Sequence, residues 1–235
     1  MRFYRDYLDY HLNEKRRLED KSSVIVPDRG LILGVFAPAE NQDKKSDVGG
    51  YSVTRKVDSL EVDYQGIFGD RHRGLHRLST GRERAIYPKG TEIAQRRHIL
   101  AISRDDCLRL SGRMGIEITP ELLGANLLIG GNNNHLHTSA MPPNTYFLVA
   151  SAGEIETVPK PPIATLIHYV AQEGCGVTGN AIAEYYGDNS LTKKFADVAK
   201  NDRGILLSIE YPVKSSTLLR AGQNIFFKFP TGISP

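Results

Sequence analysis

Between Gly66 and Gly74 the chain reads Gly-Ile-Phe-Gly-Asp-Arg-His-Arg-Gly, so two arginines, a histidine and a carboxylate are set between glycines. Glycine lets the backbone turn tightly and approach a ligand, and the forked guanidinium donors of Arg71 and Arg73 suit phosphate or carboxylate oxygens. The stretch predicts an anion-facing loop. The segment before it, Ser59-Leu60-Glu61-Val62-Asp63-Tyr64, alternates apolar and polar residues as a half-buried strand does, and would deliver the loop to one end of a sheet.

The local charge agrees with that chemistry. The whole chain carries 30 Lys and Arg against 27 Asp and Glu, a net +3 that points to no particular polyanion. From Gly66 to His98, however, eight basic residues (Arg71, Arg73, Arg77, Arg82, Arg84, Lys89, Arg96, Arg97) face three acids (Asp70, Glu83, Glu92), leaving the rest of the chain slightly acidic. A run of this kind is ordinarily a solvated face; the framing glycines and the histidines His72, His76 and His98 favour a site. His72 and His76 stand four apart with Asp70 and His98 available, which makes a metal site the alternative, with hydrogen bonds or anion contacts as the default. His135 and His137 alternate after Asn132-Asn133-Asn134, a run that reads as an exposed turn. No Gly-x-Gly-x-x-Gly, Walker or serine-elbow motif occurs, and no nucleic-acid-binding signature accompanies the basic window.

The elements that must position these residues are short. At 235 residues and 40% hydrophobic composition the chain can bury a full core. No apolar run approaches the length of a membrane span, and the first residues lack a signal peptide's apolar centre, so a cytoplasmic protein is expected. Residues 1–22 read as a short amphipathic helical extension, with Tyr4, Tyr7 and Leu8 at helical spacing, and 23–230 as one domain. Strands are predicted at 23–26, 31–36, 59–64, 98–103, 126–129, 146–149, 154–158, 205–211 and 225–229, with a turn over Pro27-Asp28-Arg29-Gly30 and a polar loop over 39–51. Ser103 is placed to cap a helix bearing Asp105 and Asp106 in its first turn; Thr119 and Pro120 open a shorter one that Gly124 stops. A further helix is predicted from Leu191 to Lys200 behind Ser190, while 172–180 reads as a glycine-rich loop. Many short strands with a few helices between them predict a mainly β, α+β fold closed like a barrel. The two cysteines, Cys107 and Cys175, are too few for a disulfide framework; Cys107 reads as a small core residue.

In this order the features resemble the MOSC domain family, the molybdenum cofactor sulfurase C-terminal domain. The resemblance is carried by Gly66-Ile67-Phe68-Gly69-Asp70-Arg71-His72, by Arg97-His98-Ile99-Leu100-Ala101-Ile102-Ser103, and by Ile118-Thr119-Pro120-Glu121-Leu122-Leu123-Gly124-Ala125-Asn126-Leu127. Asp202-Arg203-Gly204-Ile205-Leu206 looks like the family's Arg-Gly-Val strand, and Leu219-Arg220-Ala221-Gly222-Gln223 like its closing turn. About residues 24–229 are covered.

The resemblance implies a closed, largely β fold that binds molybdenum cofactor or handles sulfur destined for metal clusters, with associations to molybdenum-ion and pyridoxal phosphate binding. It implies a sulfur-carrying cysteine after a proline in a segment similar to Glu156-Thr157-Val158-Pro159-Lys160-Pro161-Pro162, where this chain has Ile163. Ala125 stands where the family usually has glutamate. On this reading Asp70, Arg71, His72, Arg73, Arg97 and Asn126 form the cofactor site: Arg71, His72 and Arg73 hold the phosphate of the molybdopterin, Arg97 approaches from the neighbouring strand, and Asn126 gives an orienting hydrogen bond. Cys175 is the remaining candidate for a catalytic thiol. The implied partners are an anionic cofactor and a sulfur-donor or molybdoenzyme protein, with a homodimer possible and neither nucleic acid nor membrane expected. The alternative is a catalytically silent binding or assembly module of the same fold.

Overall fold

The computed structural model describes residues 29–38, 54–131, 135–151, 161–172, 174, 176–200 and 202–230. The helix expected within 1–22, the strands expected at 23–26 and 154–158, and the loop at 39–51 lie outside these residues. In chain order the strands are β1 (Arg29–Pro38), β2 (Thr54–Val57), β3 (Leu60–Asp63), β4 (Gly66–Ile67), β5 (His76–Leu78), β6 (Glu92–Ala94), β7 (Ile99–Ser103), β8 (Leu127–Gly131), β9 (Tyr146–Val149), β10 (Ala164–Ala171), β11 (Ile205–Tyr211), β12 (Thr217–Leu219) and β13 (Asn224–Lys228). The helices are α1 (Arg104–Met114), α2 (Pro120–Leu123), α3 (Gly176–Tyr186) and α4 (Ser190–Val198).

Seven strands close on themselves in the order β13-β9-β10-β11-β7-β8-β1, with β1 returning to β13 and β2 added along β1. The expected closed, mainly β barrel is therefore what the chain forms. Every barrel pairing is antiparallel except β7 with β8, which run parallel because α1 and α2 lie between them as a crossover. Arg29 and Gly30, expected in a turn, instead begin β1 and pair with Phe226 and Ile225.

Alternation along the strands sorts the apolar side chains into two cores. Ile99 and Ala101 of β7 join Ile129, Phe147, Leu207 and Phe227 inside the barrel, where the Phe147 and Phe227 rings meet edge to face at 5.0 Å. Leu100 and Ile102 point the other way, into a second core with Leu110 and Met114 of α1, Ile182 of α3 and Phe195 of α4. Both faces of β7 are covered, which is why residues 99–102 are an unbroken apolar run.

Local signals start and stop α1 and α2 where the sequence places them. The Ser103 hydroxyl accepts from the Asp106 N–H at 3.0 Å, and Gly115 ends α1 in the left-handed conformation. Thr119 and Gly124 bracket α2 in the same manner. For α4 the first turn is held by Asp188, which accepts from the Ser190 N–H at 2.9 Å, so Ser190 is the first helical residue and not the cap. The glycine-rich loop expected at 172–180 is corrected from Gly176 onward, where α3 begins. Its Gly179 is needed for close approach, since a Cβ there would lie 2.6 Å from the Thr192 carbonyl oxygen of α4.

Candidate functional site

The loop from Gly66 to Gly74 hangs from a small sheet, β12-β3-β4, beside the barrel. After β3 the chain turns at Gln65, whose N–H donates to Asp63 Oδ1 at 2.8 Å. It then passes through Gly66 at φ +127°, a conformation L side chains rarely adopt. The loop closes on itself: Asp70 N–H donates to the Ile67 carbonyl, Arg73 N–H to the Asp70 carbonyl, and Gly74 N–H to the Gln65 carbonyl at 2.7 Å.

Asp70 organises the tip. One of its oxygens accepts from the His72 backbone N–H at 2.7 Å and contacts His72 Nδ1 at 2.9 Å. Burial pushes the Asp70 carboxyl up, but the His72 side-chain and backbone hydrogen bonds, with the charges of His72 and Arg71, outweigh it and hold the group below the usual carboxylate range. The His72 ring is half exposed and Arg71 is exposed, so both face outward from the tip.

Arg73 and Arg97, expected to grip an anion, are engaged by carboxylates of the chain. Arg73 donates to Asp63 Oδ2 and, at 3.2 Å, to Gln65 Oε1, and its guanidinium lies 4.3 Å from the centre of the Phe68 ring. Arg97 and Arg77 converge on one oxygen of Glu83, which accepts from the Thr80 N–H at 2.8 Å and the Thr80 hydroxyl at 2.9 Å through the other. Burial raises the Glu83 carboxyl, but Arg77, the two Thr80 donors and Arg97 bring it from 4.5 down to about 2. Gln95 joins the two systems, donating to the His72 carbonyl at 3.0 Å and accepting from the Arg97 N–H at 3.2 Å.

The remaining candidates fall elsewhere. Asn126 is buried and its amide is spent on backbone, accepting from the Leu100 N–H at 2.9 Å and donating to the Phe36 carbonyl at 3.3 Å. It fastens β7 to β1. Cys175 lies outside the described residues. Ile163 packs against the barrel core and its N–H donates to the Val149 carbonyl at 2.9 Å. Cys107 is buried as expected, and burial with the nearby Asp106 and Glu121 charges pushes its thiol up to about 12. His76 sits on β5 with Glu92 at 3.6 Å, while the His98 ring is engaged by the Gly74 carbonyl and the Ile209 N–H. Among the described residues no three His, Cys, Asp or Glu side chains form a group able to hold a metal ion.

Three participants went unrecognised in the sequence: Asp63, Glu83 and Gln95. Glu83 did carry a signal, since Thr80-Gly81-Arg82-Glu83 has the capping-box spacing, and the Thr80 N–H to Glu83 bond is that motif's reciprocal contact. The turn expected at His135 and His137 proves to be a clasp onto α1. His135 is exposed beside Asp105, but His137 Nδ1 meets the fully buried Asp106 at 2.9 Å. Asp106 also accepts from Thr138, Ser139 and Arg109. Burial raises the Asp106 carboxyl, and His137, Thr138, Arg109 and Ser139 together bring it below its ordinary value.

No family model matches the chain. YuaD of Bacillus subtilis (strain 168), named as a candidate metal-sulfur cluster biosynthesis protein, is 35% identical over 162 residues, 68% of this chain and 77% of YuaD. The crystal structure of the YUAD protein from Bacillus subtilis aligns with a TM-score of 0.67 at 27% identity, covering 85% of this chain and 95% of that one. The crystal structure of YiiM from Geobacillus stearothermophilus aligns with a TM-score of 0.50 at 11% identity, covering 85% and 75% of the two chains, a likeness of fold alone.

Proposed function

The chain belongs to the family of YuaD, and from that premise we propose that it serves the handling of sulfur or metal for metal–sulfur centres, holding an anionic cofactor on the Gly66–Gly74 loop. The observation that carries this reading is the division of labour within the loop. Asp63, Asp70, Gln95 and Glu83 hold its backbone and its neighbouring arginines in place, while Arg71 and the His72 ring are presented outward on that fixed frame. Preorganised cationic donors suit phosphate oxygens, because the ordering cost is met on folding and not on binding.

The phosphate of molybdenum cofactor fits this donor set. Arg71 and His72 would hold it, Asp70 would orient His72, and Arg73 and Arg97 would add positive potential from their paired positions. When bound, the cofactor would supply a metal centre able to exchange a sulfur ligand. Covalent sulfur, if carried, falls to Cys175: the chain has two cysteines, and a buried Cys107 thiol held near 12 stays protonated. The Cys175 thiolate would attack the outer sulfur of a donor protein's persulfide, forming a new S–S bond as the donor departs as thiolate.

One observation favours a second reading, a binding module with no covalent step. The position that the family resemblance gives to the sulfur carrier is Ile163, and its side chain packs against the barrel core. Native mass spectrometry with added molybdenum cofactor separates the readings when run on the natural chain, Arg71→Ala and Cys175→Ser. Cofactor retention that Arg71→Ala abolishes supports the loop as the site. A mass gain of one sulfur after exposure to a persulfide donor, lost in Cys175→Ser, supports the carrier; retention without it leaves the binding module. Equal retention by Arg71→Ala would remove the loop from the argument.

A further inference from the structure

His98 stands outside the set assigned to the anion, yet it joins the loop to the barrel. It lies just before β7, is 5% exposed, and its own N–H donates to the Leu207 carbonyl of β11 at 3.1 Å. Its ring reaches two backbone groups of opposite kind. Ile209 N–H of β11 donates to Nδ1 at 3.1 Å, and Nε2 lies 3.3 Å from the carbonyl of Gly74, the residue that closes the loop. An N–H can only donate and a carbonyl can only accept, so Nδ1 is bare and Nε2 carries the proton. The ring also stands close over the loop's entry, where a Cβ added at Gly66 would meet His98 Cδ2 at 3.5 Å and Arg73 Cα at 3.3 Å.

We propose that His98 is a positioning residue for the anion loop. In its Nε2–H tautomer it ties Gly74 to β11 and so fixes where Arg71 and His72 stand, and a proton arriving on Nδ1 releases Ile209 and loosens the loop. This inference rests on the loop being the anion site. The groups facing the ring are Asp63 at the end of β3, Asp70 and His72 on the loop, the Arg73 main chain beside Gly66, and the backbone of Leu207 and Ile209. Burial pushes the ring's pKa down; the Gly74 carbonyl and Asp63 pull it up, His72 pushes it down and Asp70 pulls it up, with the net direction downward. The ring is neutral at neutral pH. The device engages on acidification, below the ordinary histidine range.

The tautomer is read directly by long-range proton–nitrogen NMR of the labelled protein. The expected result at about pH 7.5 is a protonated Nε2 and a bare Nδ1; a proton on Nδ1 at that pH overturns the proposal. In the same sample without ligand, the amide shifts of residues 71–74 and 209 should move with the His98 titration, and amides indifferent to it would equally overturn the coupling. Sulfate, which stays dianionic throughout, is the binding probe. Its affinity should fall about tenfold across the His98 titration that the NMR shifts report, the consequence of leaving a buried N–H without its acceptor. His98→Gln, whose amide supplies a donor and an acceptor but does not titrate, should lack that fall; a fall of the same size in His98→Gln would refute the assignment. Failure of the anion reading looks different: sulfate binding absent at every pH, or untouched by Arg71→Ala, while the NMR readouts still decide the role of His98.

Discussion

Replacing Glu83 by glutamine tests whether one carboxylate holds the basic lobe together. Glu83 is 7% exposed and accepts from Arg77, Arg97 and both donors of Thr80, so the substitution keeps the shape and one acceptor while removing the charge. Holding a carboxyl at about 2 when its ordinary value is 4.5 corresponds to about 3 kcal/mol of stability. Because the folded value is depressed, that contribution is complete above the unfolded value and is lost as pH falls through 4.5 toward about 2. Neutral hydrogen bonds from the glutamine recover part of it, leaving an expected loss of about 2 kcal/mol at neutral pH. Neither apolar core takes a residue from 68–98, so the loss should appear first as local opening. Amide exchange at Ser79 and Gly90, which hydrogen-bond across this lobe, is the assay, with urea unfolding followed alongside. Exchange at those amides should quicken by about thirtyfold, the rate equivalent of about 2 kcal/mol, and the gap to the natural chain should narrow near about pH 3. Unchanged protection at neutral pH, or a gap that does not close in acid, would refute the assignment of Glu83 as a charged hub.

Gly179→Ala should cost about 1–3 kcal/mol in urea unfolding, because the added Cβ meets the Thr192 backbone and α3 and α4 must part; stability within experimental error of the natural chain would show that the contact can relax. In Cys175→Ser the remaining thiol, Cys107, should resist a thiol reagent at about pH 8 until urea unfolds the chain, and rapid native reaction would contradict its burial.

The barrel was legible where a strand is apolar on both faces or alternates cleanly. The stretches at 98–103, 205–211 and 225–229 announce β7, β11 and β13, and Ser103 and Thr119 announce the helices they cap. β10 was missed because His168 and Tyr169 interrupt an otherwise apolar run, although His168 is fully buried with its Nδ1 against the Pro142 carbonyl. α3 was missed because its glycines read as loop, when one of them answers to a neighbouring helix and not to the local backbone. At the site, the loop and its charges are legible but their engagement is not. Arg73 with Asp63, and Arg97 with Glu83, are pairings set by how β3, β5 and the approach to β7 are brought together. The role of His98 depends on Ile209, which comes beside it only when β11 pairs with β7 in the closing barrel.

That closure has a consequence for how the chain acquires its structure. β1 divides its edge between two neighbours: Arg29 to Leu31 pair with β13, and Val35 to Pro38 pair with β2. The first described strand and the last are thus hydrogen-bonded to each other, so the ring stays open until β13 has been synthesised. Contacts so distant along the chain form late, since the intervening loop must be closed before they return any free energy. A nascent chain ending before β13 presents two unpaired edges at once, on β9 and on the first half of β1, each able to recruit a strand from another molecule. Five residues near the end of the chain, Asn224–Lys228, therefore protect both sides of the gap, and their arrival separates a chain prone to association from one with its barrel sealed.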